Sequence, residues 1–222
     1  AGMSPSKAHP YLVSFAKLKL ITQDVATGHY DLGEEALQIG LAAFQRLSPL
    51  KAAQEELKSF EAAAHYSTAV SVWGTQGPTI VQVTEADYPL HVFVRCGTVL
   101  SLMNTAAGLA FATFMPRSVI LAALKQERHR FAGRPEPVSQ AALDAATADV
   151  RRLGVSRSLG TVVPGVNSIC APVFNHQGEM VLAVSLMRPG LPADGDPDGA
   201  TARAARECAR RISRRLGYQP ES

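Results

Sequence analysis

Three serines, Ser158, Ser168 and Ser185, carry hydroxyl groups that could meet in one site of this protein. A serine acts as a nucleophile only when a nearby base takes its proton, and no histidine stands where it would activate one of these three. The sequence has no GxSxG, HExxH, Walker-type or GxGxxG motif. The serines are therefore predicted to form hydrogen bonds with a ligand, and the chain is not predicted to be an enzyme.

The histidines and cysteines give no sign of a metal or cofactor site. The six histidines do not cluster with cysteines or carboxylates at any metal-ligand spacing. Cys96, Cys170 and Cys208 are far apart, odd in number and without a CxxC pair, which is typical of free thiols in a reducing cytoplasm. No metal and no cofactor are predicted, and the expected location is the cytoplasm.

Residues 165–190 carry the strongest structural signal in the chain. Two apolar runs flank the polar turn 175–178, which ends in a glycine, and this pattern is typical of a β-hairpin. The alternation of the second strand predicts two faces, one with Met180, Leu182, Val184 and Leu186, and the other with Val181, Ala183, Ser185 and Met187.

Both faces of that strand are apolar, so neither can be left in water. One face is predicted to meet a helix layer. The second, which carries Ser185, either packs as ordinary core or forms one wall of a ligand pocket. The alternation alone leaves both interpretations open.

The composition is that of a globular protein, with 46% hydrophobic and 18% charged residues in 222 and a net charge of +3. No apolar run approaches the roughly 20 residues that span a bilayer. Helices are predicted over 4–21, 33–47, 49–64, 104–114, 116–128, 138–153 and 200–216, with further strands over 67–73, 79–84 and 90–95. Strands grouped as hairpins predict the α+β class, an antiparallel sheet with helices on one face.

The first thirty-two residues are predicted to form one basic helix and one small hairpin. Ser4 and Pro5 are typical of a helix start, and Pro10 requires a bend or a later start because it lacks a backbone donor. Residues 21–24 and 29–32 are the predicted strands. These elements cannot bury a core by themselves, so they are expected to be the end of a domain.

Several segments resemble the IclR-type transcriptional regulators, in the same order along the chain. Residues 4–33, SPSKAHPYLVSFAKLKLITQDVATGHYDLG, resemble the recognition helix and wing of their winged helix-turn-helix, and GEEALQIG resembles the start of their linker helix. LMNTAAGLAF at 102–111, GVNSICAPVFNHQGE at 165–179 and the terminal ISRRLGY match further family motifs. The resemblance covers almost the whole chain.

The resemblance implies three parts. Residues 1–32 would be the C-terminal part of a winged helix-turn-helix whose first helices are absent, 33–48 a linker helix, and 49–222 a GAF-like effector-binding domain. It further implies a repressor or activator that binds double-stranded operator DNA and forms a homodimer or homotetramer, with no membrane partner. The implied DNA-binding residues are Ser4, Ser6, Lys7, His9, Tyr11, Lys17 and Lys19. Pro10 stands where the family commonly has a basic residue.

The resemblance also implies an effector pocket for a small organic acid. Its residues here would be Thr105, Ala106, Ala107, Gly108, Ser158, Ser168, Ser185 and Met187. Ser158 replaces an acidic residue of the family, Ser168 a cysteine, and Met187 a second serine. Because acidic and thiol groups are lost and a methionine is gained, the pocket is expected to suit an apolar or aromatic acid.

Two other functions stay open from the sequence. The first is a stand-alone small-molecule binding module without a DNA role, which an upstream helix pair in the reading frame would exclude. The second is an esterase-like enzyme, which would require turnover of an acyl substrate that depends on one of the three serines.

Overall fold

The computed structural model describes residues 2–64, 66–85, 95–130, 138–159, 166–189 and 199–220. The chain divides into two compact units, Ala1–Ser48 and Pro49–Ser222. In the described residues, none of the helices is both long enough and apolar enough to cross a membrane.

The first unit begins with helix α1, Pro5–Lys17. Ser4 is at the N-cap position, and the helix continues through Pro10, which excludes the later start among the two predicted alternatives, a bend or a later start. The predicted extension to residue 21 is wrong, because Lys19 has a φ of 55°, outside the helical range. All α1 side chains are exposed except those of Ala8 and Leu12, which are half-buried.

A small hairpin follows α1, as predicted. Strand β1, Ile21–Gln23, pairs antiparallel with β2, Tyr30–Leu32. Asp24 shapes the turn, since its carboxylate accepts hydrogen bonds from the N–H groups of Thr27 (3.0 Å) and Ala26 (2.7 Å). These bonds lower the pKa of Asp24 below its ordinary value. Helix α2, Glu34–Gln45, ends the regular structure of this unit.

The second unit is built on a five-stranded antiparallel sheet in the order β4-β3-β7-β6-β5. The strands are β3 (Ser67–Gly74), β4 (Gly77–Thr84), β5 (Ser156–Leu159), β6 (Val166–Phe174) and β7 (Met180–Pro189). The predicted hairpin of residues 165–190 is confirmed as β6 and β7, with β7 at the centre of the sheet. The α+β class is therefore confirmed.

Helices cover both faces of the sheet, which corrects the prediction of helices on one face. They are α3 (Pro49–Ala64), α4 (Ala106–Phe114), α5 (Arg117–Arg130), α6 (Gln140–Leu153) and α7 (Ala200–Arg215). α3 and α7 pack on one face, where Leu182, Val184 and Leu186 belong to the largest apolar cluster. α4 packs on the other face against Cys170 and Ala183.

The helices on each face are held by different contacts. On the first face, Arg211 forms an ion pair with Glu56 (3.2 Å) and Arg215 forms one with Glu55, so charge pairs tie α7 to α3. On the second face, α5 and α6 pack on α4 through an apolar cluster of Leu102, Ala112, Ile120 and Leu143. The arginines of α7 are thus partly engaged in structural ion pairs.

A β-bulge corrects the predicted faces of β7. Val173 is opposite Leu182 and Phe174 is opposite Met180, so Val181 is an extra residue in the ladder. Val181 consequently packs on the α7 side and Met180 on the α4 side, the reverse of the predicted assignment. From Leu182 to Met187 the predicted alternation holds.

Some element boundaries also differ. α4 begins at Ala106 and α6 at Gln140, each two residues after its predicted start. β5 was not predicted, since four residues give too short an alternation to recognise. The predicted strand over 90–95 lies outside the described residues, except for Arg95, which is in no strand.

Candidate functional site

The α4 face of the sheet carries two neighbouring rows of small polar side chains. In the first row, Met187 is opposite Ser168, and Ser168 is opposite Ser158. In the second row, Ser185 is opposite Cys170, and Cys170 is opposite Ser156. Residues directly opposite in antiparallel strands project to the same face. The register thus brings the three predicted serines and Met187 onto one surface.

The N-terminus of α4 is built by a close approach to the preceding loop. Thr105 is the N-cap, and its hydroxyl accepts a hydrogen bond from the Gly108 N–H (2.9 Å) and donates one to the Ser101 carbonyl (2.7 Å). A Cβ atom on Gly108 would lie 2.0 Å from that carbonyl oxygen. Thr105 and Gly108 are therefore structural residues of the helix start.

Two serine hydroxyls of β5 hold this helix start on the sheet. Ser158 Oγ donates to the carbonyl of Asn104 (3.2 Å), and Ser156 Oγ donates to the carbonyl of Ala106 (2.6 Å). Ser156 Oγ also lies 3.3 Å from the Cys170 carbonyl oxygen. α4 is thus fixed at its N-terminal end by hydrogen bonds from β5.

Cys170 lies in the middle of the second row and was not predicted to belong to the site. Its thiol is completely buried between the hydroxyls of Ser185 and Ser156, with which it forms hydrogen bonds. Burial raises the pKa of the Cys170 thiol to about 12, while these two hydrogen bonds favour the thiolate to a smaller extent. The thiol is therefore protonated at neutral pH and inert as a nucleophile.

Two methionines of β7 are equally buried, at 7% exposure, but differ in their surroundings. Met180 belongs to the apolar cluster under α4, with Ala106, Ala107 and Cys170. Met187 belongs to none of the apolar clusters formed by the described residues. Met180 is consequently a core residue, whereas Met187 stands beside the hydroxyls of Ser168 and Ser158.

Apart from Thr105 and Gly108, which build the helix start, the predicted effector-site residues fall into three groups. Ser158, Ser168 and Met187 share one row, and Ser185 stands in the next row against the Cys170 thiol. Ala106 and Ala107 lie in the first turn of α4, buried over the sheet. The two rows carry no charged side chain, so a ligand there would meet hydroxyls, apolar atoms and the helix N-terminus.

The predicted DNA-binding residues lie on α1 or close to one of its ends, and all of them are exposed. Ser4 and Ser6 are 3.2 Å apart at their hydroxyls. Lys19 differs from the other two lysines, because its Nζ forms an ion pair with Glu34 Oε1 (2.5 Å). This pair raises the pKa of Lys19 and balances its charge locally. Lys7 and Lys17 carry the basic character of α1.

Comparison with known proteins identifies the class. Residues 42–214 match the family described as bacterial transcriptional regulator IclR C-terminal. The chain is similar to the crystal structure of HmgR from Pseudomonas aeruginosa, with a TM-score of 0.86 and 32% sequence identity. The match covers 99% of this chain and 88% of the HmgR chain. The glycerol operon regulatory protein of Streptomyces griseus is 29% identical over 97% of this chain and 85% of its own length.

A more distant similarity concerns the fold alone. The crystal structure of the Agobacterium tumefaciens repressor BlcR matches this chain with a TM-score of 0.78 and 18% sequence identity. The match covers 99% of this chain and 87% of the BlcR chain. The fold and these relatives define the class: the chain is a bacterial transcriptional regulator with an effector-binding C-terminal domain, and its relatives are regulators rather than enzymes. The chain belongs to the IclR family.

The buried thiol gives a pH-dependent prediction. The folded-state pKa of Cys170, about 12, lies above the ordinary value of 9.0, so the unfolded chain loses this proton first. The stability that this group contributes is fully present below pH 9 and is lost as the pH rises toward 12, by at most about 1.4 kcal/mol per pH unit. Cys170→Ala should remove this contribution to the alkaline decline in the free energy of unfolding. Urea unfolding between pH 8 and pH 10.5 measures it, because the decline begins within this range.

Cys96→Ala is the matched control, because it removes an exposed thiol and should leave the pH dependence unchanged. Parallel pH profiles for the wild type and Cys170→Ala would show that the Cys170 thiol is not shielded in the folded protein.

Proposed function

We propose that this protein is a ligand-responsive regulator that binds operator DNA and takes a small organic acid with an apolar or aromatic body as its effector. The observation that carries the proposal is the row of Ser158, Ser168 and Met187 beside the N-terminus of α4. It combines hydroxyl groups, one apolar side chain and a helix start without any charged residue.

The hydroxyl end of the row suits a carboxylate. Ser168 is half-buried, and its hydroxyl can donate a hydrogen bond to a carboxylate, whereas the Ser158 hydroxyl already donates to the Asn104 carbonyl. Ser158 marks the start of α4, where the backbone dipoles favour an anion. The first-turn N–H groups of Ala106 and Ala107 have no partner within the helix and could donate hydrogen bonds to an anion. Ser158 stands where the IclR family has an acidic residue. No fixed negative charge at this position would therefore repel the carboxylate of the ligand.

The other end of the row suits an apolar group. Met187 is a flexible, polarizable side chain that adapts to irregular shapes. The small side chains of Ala106 and Ala107 lie over the same face of the sheet. An aliphatic or aromatic body would contact Met187 while its carboxylate meets the Ser168 hydroxyl and the first-turn N–H groups of α4.

Met187→Ala and Met180→Ala form a matched pair that separates binding from stability. In Met187→Ala, the affinity for an apolar acid should fall about tenfold, because roughly 1–2 kcal/mol of apolar contact with the ligand is lost. In Met180→Ala, the protein should lose about 2–5 kcal/mol of stability, because a cluster residue is removed. A thermal-shift screen against aromatic and aliphatic carboxylates identifies the acid, and calorimetry measures its affinity.

An acid present at 100 times its Kd should stabilise the wild type by about 2.7 kcal/mol. The proposed effector site would be wrong if the acid bound equally well to Met187→Ala and the wild type. It would also be wrong if the Met180→Ala variant, once folded, lost the same affinity.

DNA binding is proposed for the first unit, with residues 1–32 as part of a winged helix-turn-helix and 33–48 as a linker. The support is the exposure of Lys7 and Lys17 on α1 and the lack of acidic residues among residues 1–23. In this proposal Lys7 and Lys17 contact phosphates, while Ser4, Ser6, His9 and Tyr11 lie near base edges. A stand-alone binding module would have no operator.

Salt dependence of operator binding tests the role of the lysines. Lys7→Ala and Lys17→Ala should each reduce the slope of log K against log salt concentration by about 0.9 per contact, because fewer counterions are released. Lys19→Ala should change the slope less, since its charge is already balanced by Glu34. Fluorescence anisotropy over a salt series measures all three. Equal affinity for operator and random duplex would contradict the proposal.

A homo-oligomer is proposed because α2 leaves large apolar side chains exposed. Leu37 is 62%, Ile39 60% and Leu41 47% exposed, and Leu37 and Leu41 share one helix face. A second copy of the chain is the proposed occupant of this face. The double variant Leu37→Glu, Leu41→Glu should sediment as a smaller species, whereas Gln38→Glu adds charge without removing apolar area and should not. An unchanged mass in the double variant would exclude α2 as the interface.

A further inference from the structure

Ser71, in the central part of β3, is a buried hydroxyl group that the proposed site does not use. Its side chain is 1% exposed, and its Oγ is one of two buried side-chain oxygens without a hydrogen-bond partner in the described part of the chain. The other, Gln82 Oε1, is on a residue opposite Val70, whose side chain packs on the α7 side of the sheet. Of these two residues, only Ser71 lies on the side of the sheet that faces α4.

The register places Ser71 on the same face as the two rows. Ser71 is opposite Ala183, which packs under α4, and Ala69 is opposite Ser185. Ser71 is therefore diagonal to Ser185, at the roughly 7–8 Å that separates diagonal neighbours in antiparallel strands. The hydroxyl stands on the side of the sheet that faces α4, one strand beyond β7.

The side chains around Ser71 on this face are apolar and of mixed size, with Ile80 directly opposite and Trp73 two residues further along β3. Ala69 and Ala183 flank it on the sheet, and Ala106, Ala107 and Ala110 belong to the cluster of α4 that covers Ala183. These alanines are almost completely buried, and a ligand body would have to fit between the helix and the sheet beside them. A buried hydroxyl without a partner in such surroundings loses its hydrogen bonds to water and gains none in return.

We infer that Ser71 is a specificity-determining residue of the effector site, which receives a neutral polar group, a hydroxyl or a carbonyl, at the apolar end of the acid. The inference rests on the proposed function, since it assumes that an acid binds on this face. It extends the proposed site from β7 to β3 and gives the buried Ser71 hydroxyl a hydrogen-bond partner in the ligand.

The polar group must be neutral because of what surrounds Ser71. Its neighbours on this face, Ala69, Ala183 and Ile80, carry no charge that could balance a second ionised group. A buried charge without a partner is strongly unfavourable. A serine hydroxyl can donate to a carbonyl oxygen or accept from a hydroxyl, so either group would satisfy it.

The first test needs no ligand and compares two buried serines of the same face. Ser156→Ala should lower the melting temperature, because the Ser156 hydroxyl bonds the Ala106 carbonyl at 2.6 Å. Ser71→Ala should leave the melting temperature unchanged or raise it, because no hydrogen bond is lost. If Ser71→Ala lowered the melting temperature as much as Ser156→Ala, Ser71 would already have a partner and the inference would be overturned.

The second test uses matched pairs of acids that differ by one hydroxyl group: benzoate and para-hydroxybenzoate, phenylacetate and para-hydroxyphenylacetate, hexanoate and omega-hydroxyhexanoate. In at least one pair the hydroxylated acid should bind the wild type about tenfold more tightly than its parent. Ser71→Ala should abolish that difference and leave the affinity for the parent acid unchanged. Calorimetric titration measures each affinity.

The outcomes separate this inference from the proposed function. If parent acids bind and no hydroxylated acid binds better, the inference fails while the proposed function stands. If Ser71→Ala weakens parent and hydroxylated acids equally, Ser71 only supports the fold of the site and the inference fails. If no acid, in these pairs or in the wider carboxylate screen, binds the wild type, the proposed effector class fails and the inference with it.

Discussion

The docking of the α4 N-terminus on the sheet is the interaction on which the rest of the site depends. Ser156 and Ser158 donate hydrogen bonds to the carbonyls of Ala106 and Asn104, and these bonds fix the first turn of the helix over β5. Gly108 permits the close approach that this position requires, since any side chain there would meet the Ser101 carbonyl. The helix dipole and the polar row beside it are consequently held in one place, where an anion could use both.

The two faces of the same sheet have different roles because they carry different residues. The face toward α3 and α7 is mainly apolar, with Val70, Leu182, Val184 and Leu186 each 0% exposed, although it also carries Thr68 and Gln82. The face toward α4 carries serines and a cysteine among alanines. Hydroxyls inside a protein must be satisfied by protein, water or ligand. This face is therefore suited to a ligand, and the opposite face provides the rigidity that keeps it in position.

Much of the fold could be predicted from local sequence patterns, and the site only in part. The β6–β7 hairpin followed from periodicity, and the set of serines from the resemblance to the IclR family. The bulge at Val181 could not be predicted, because one inserted residue does not disturb an apolar run. The partners of Cys170 and the position of Ser71 depend on strand order and register, which bring together residues far apart in sequence. The helices on both faces were missed for the same reason.

The central claim is that a small acid binds on the α4 face beside Met187. The most direct measurement is a methyl NMR titration of protein labelled at the methyl groups of its five methionines, with the acid that gives the largest thermal shift. The Met187 methyl resonance should shift most and saturate at the calorimetric Kd, while that of Met180, packed in the cluster under α4, should shift much less. Saturation without any change at Met187, or with the largest change at another methionine, would contradict the account.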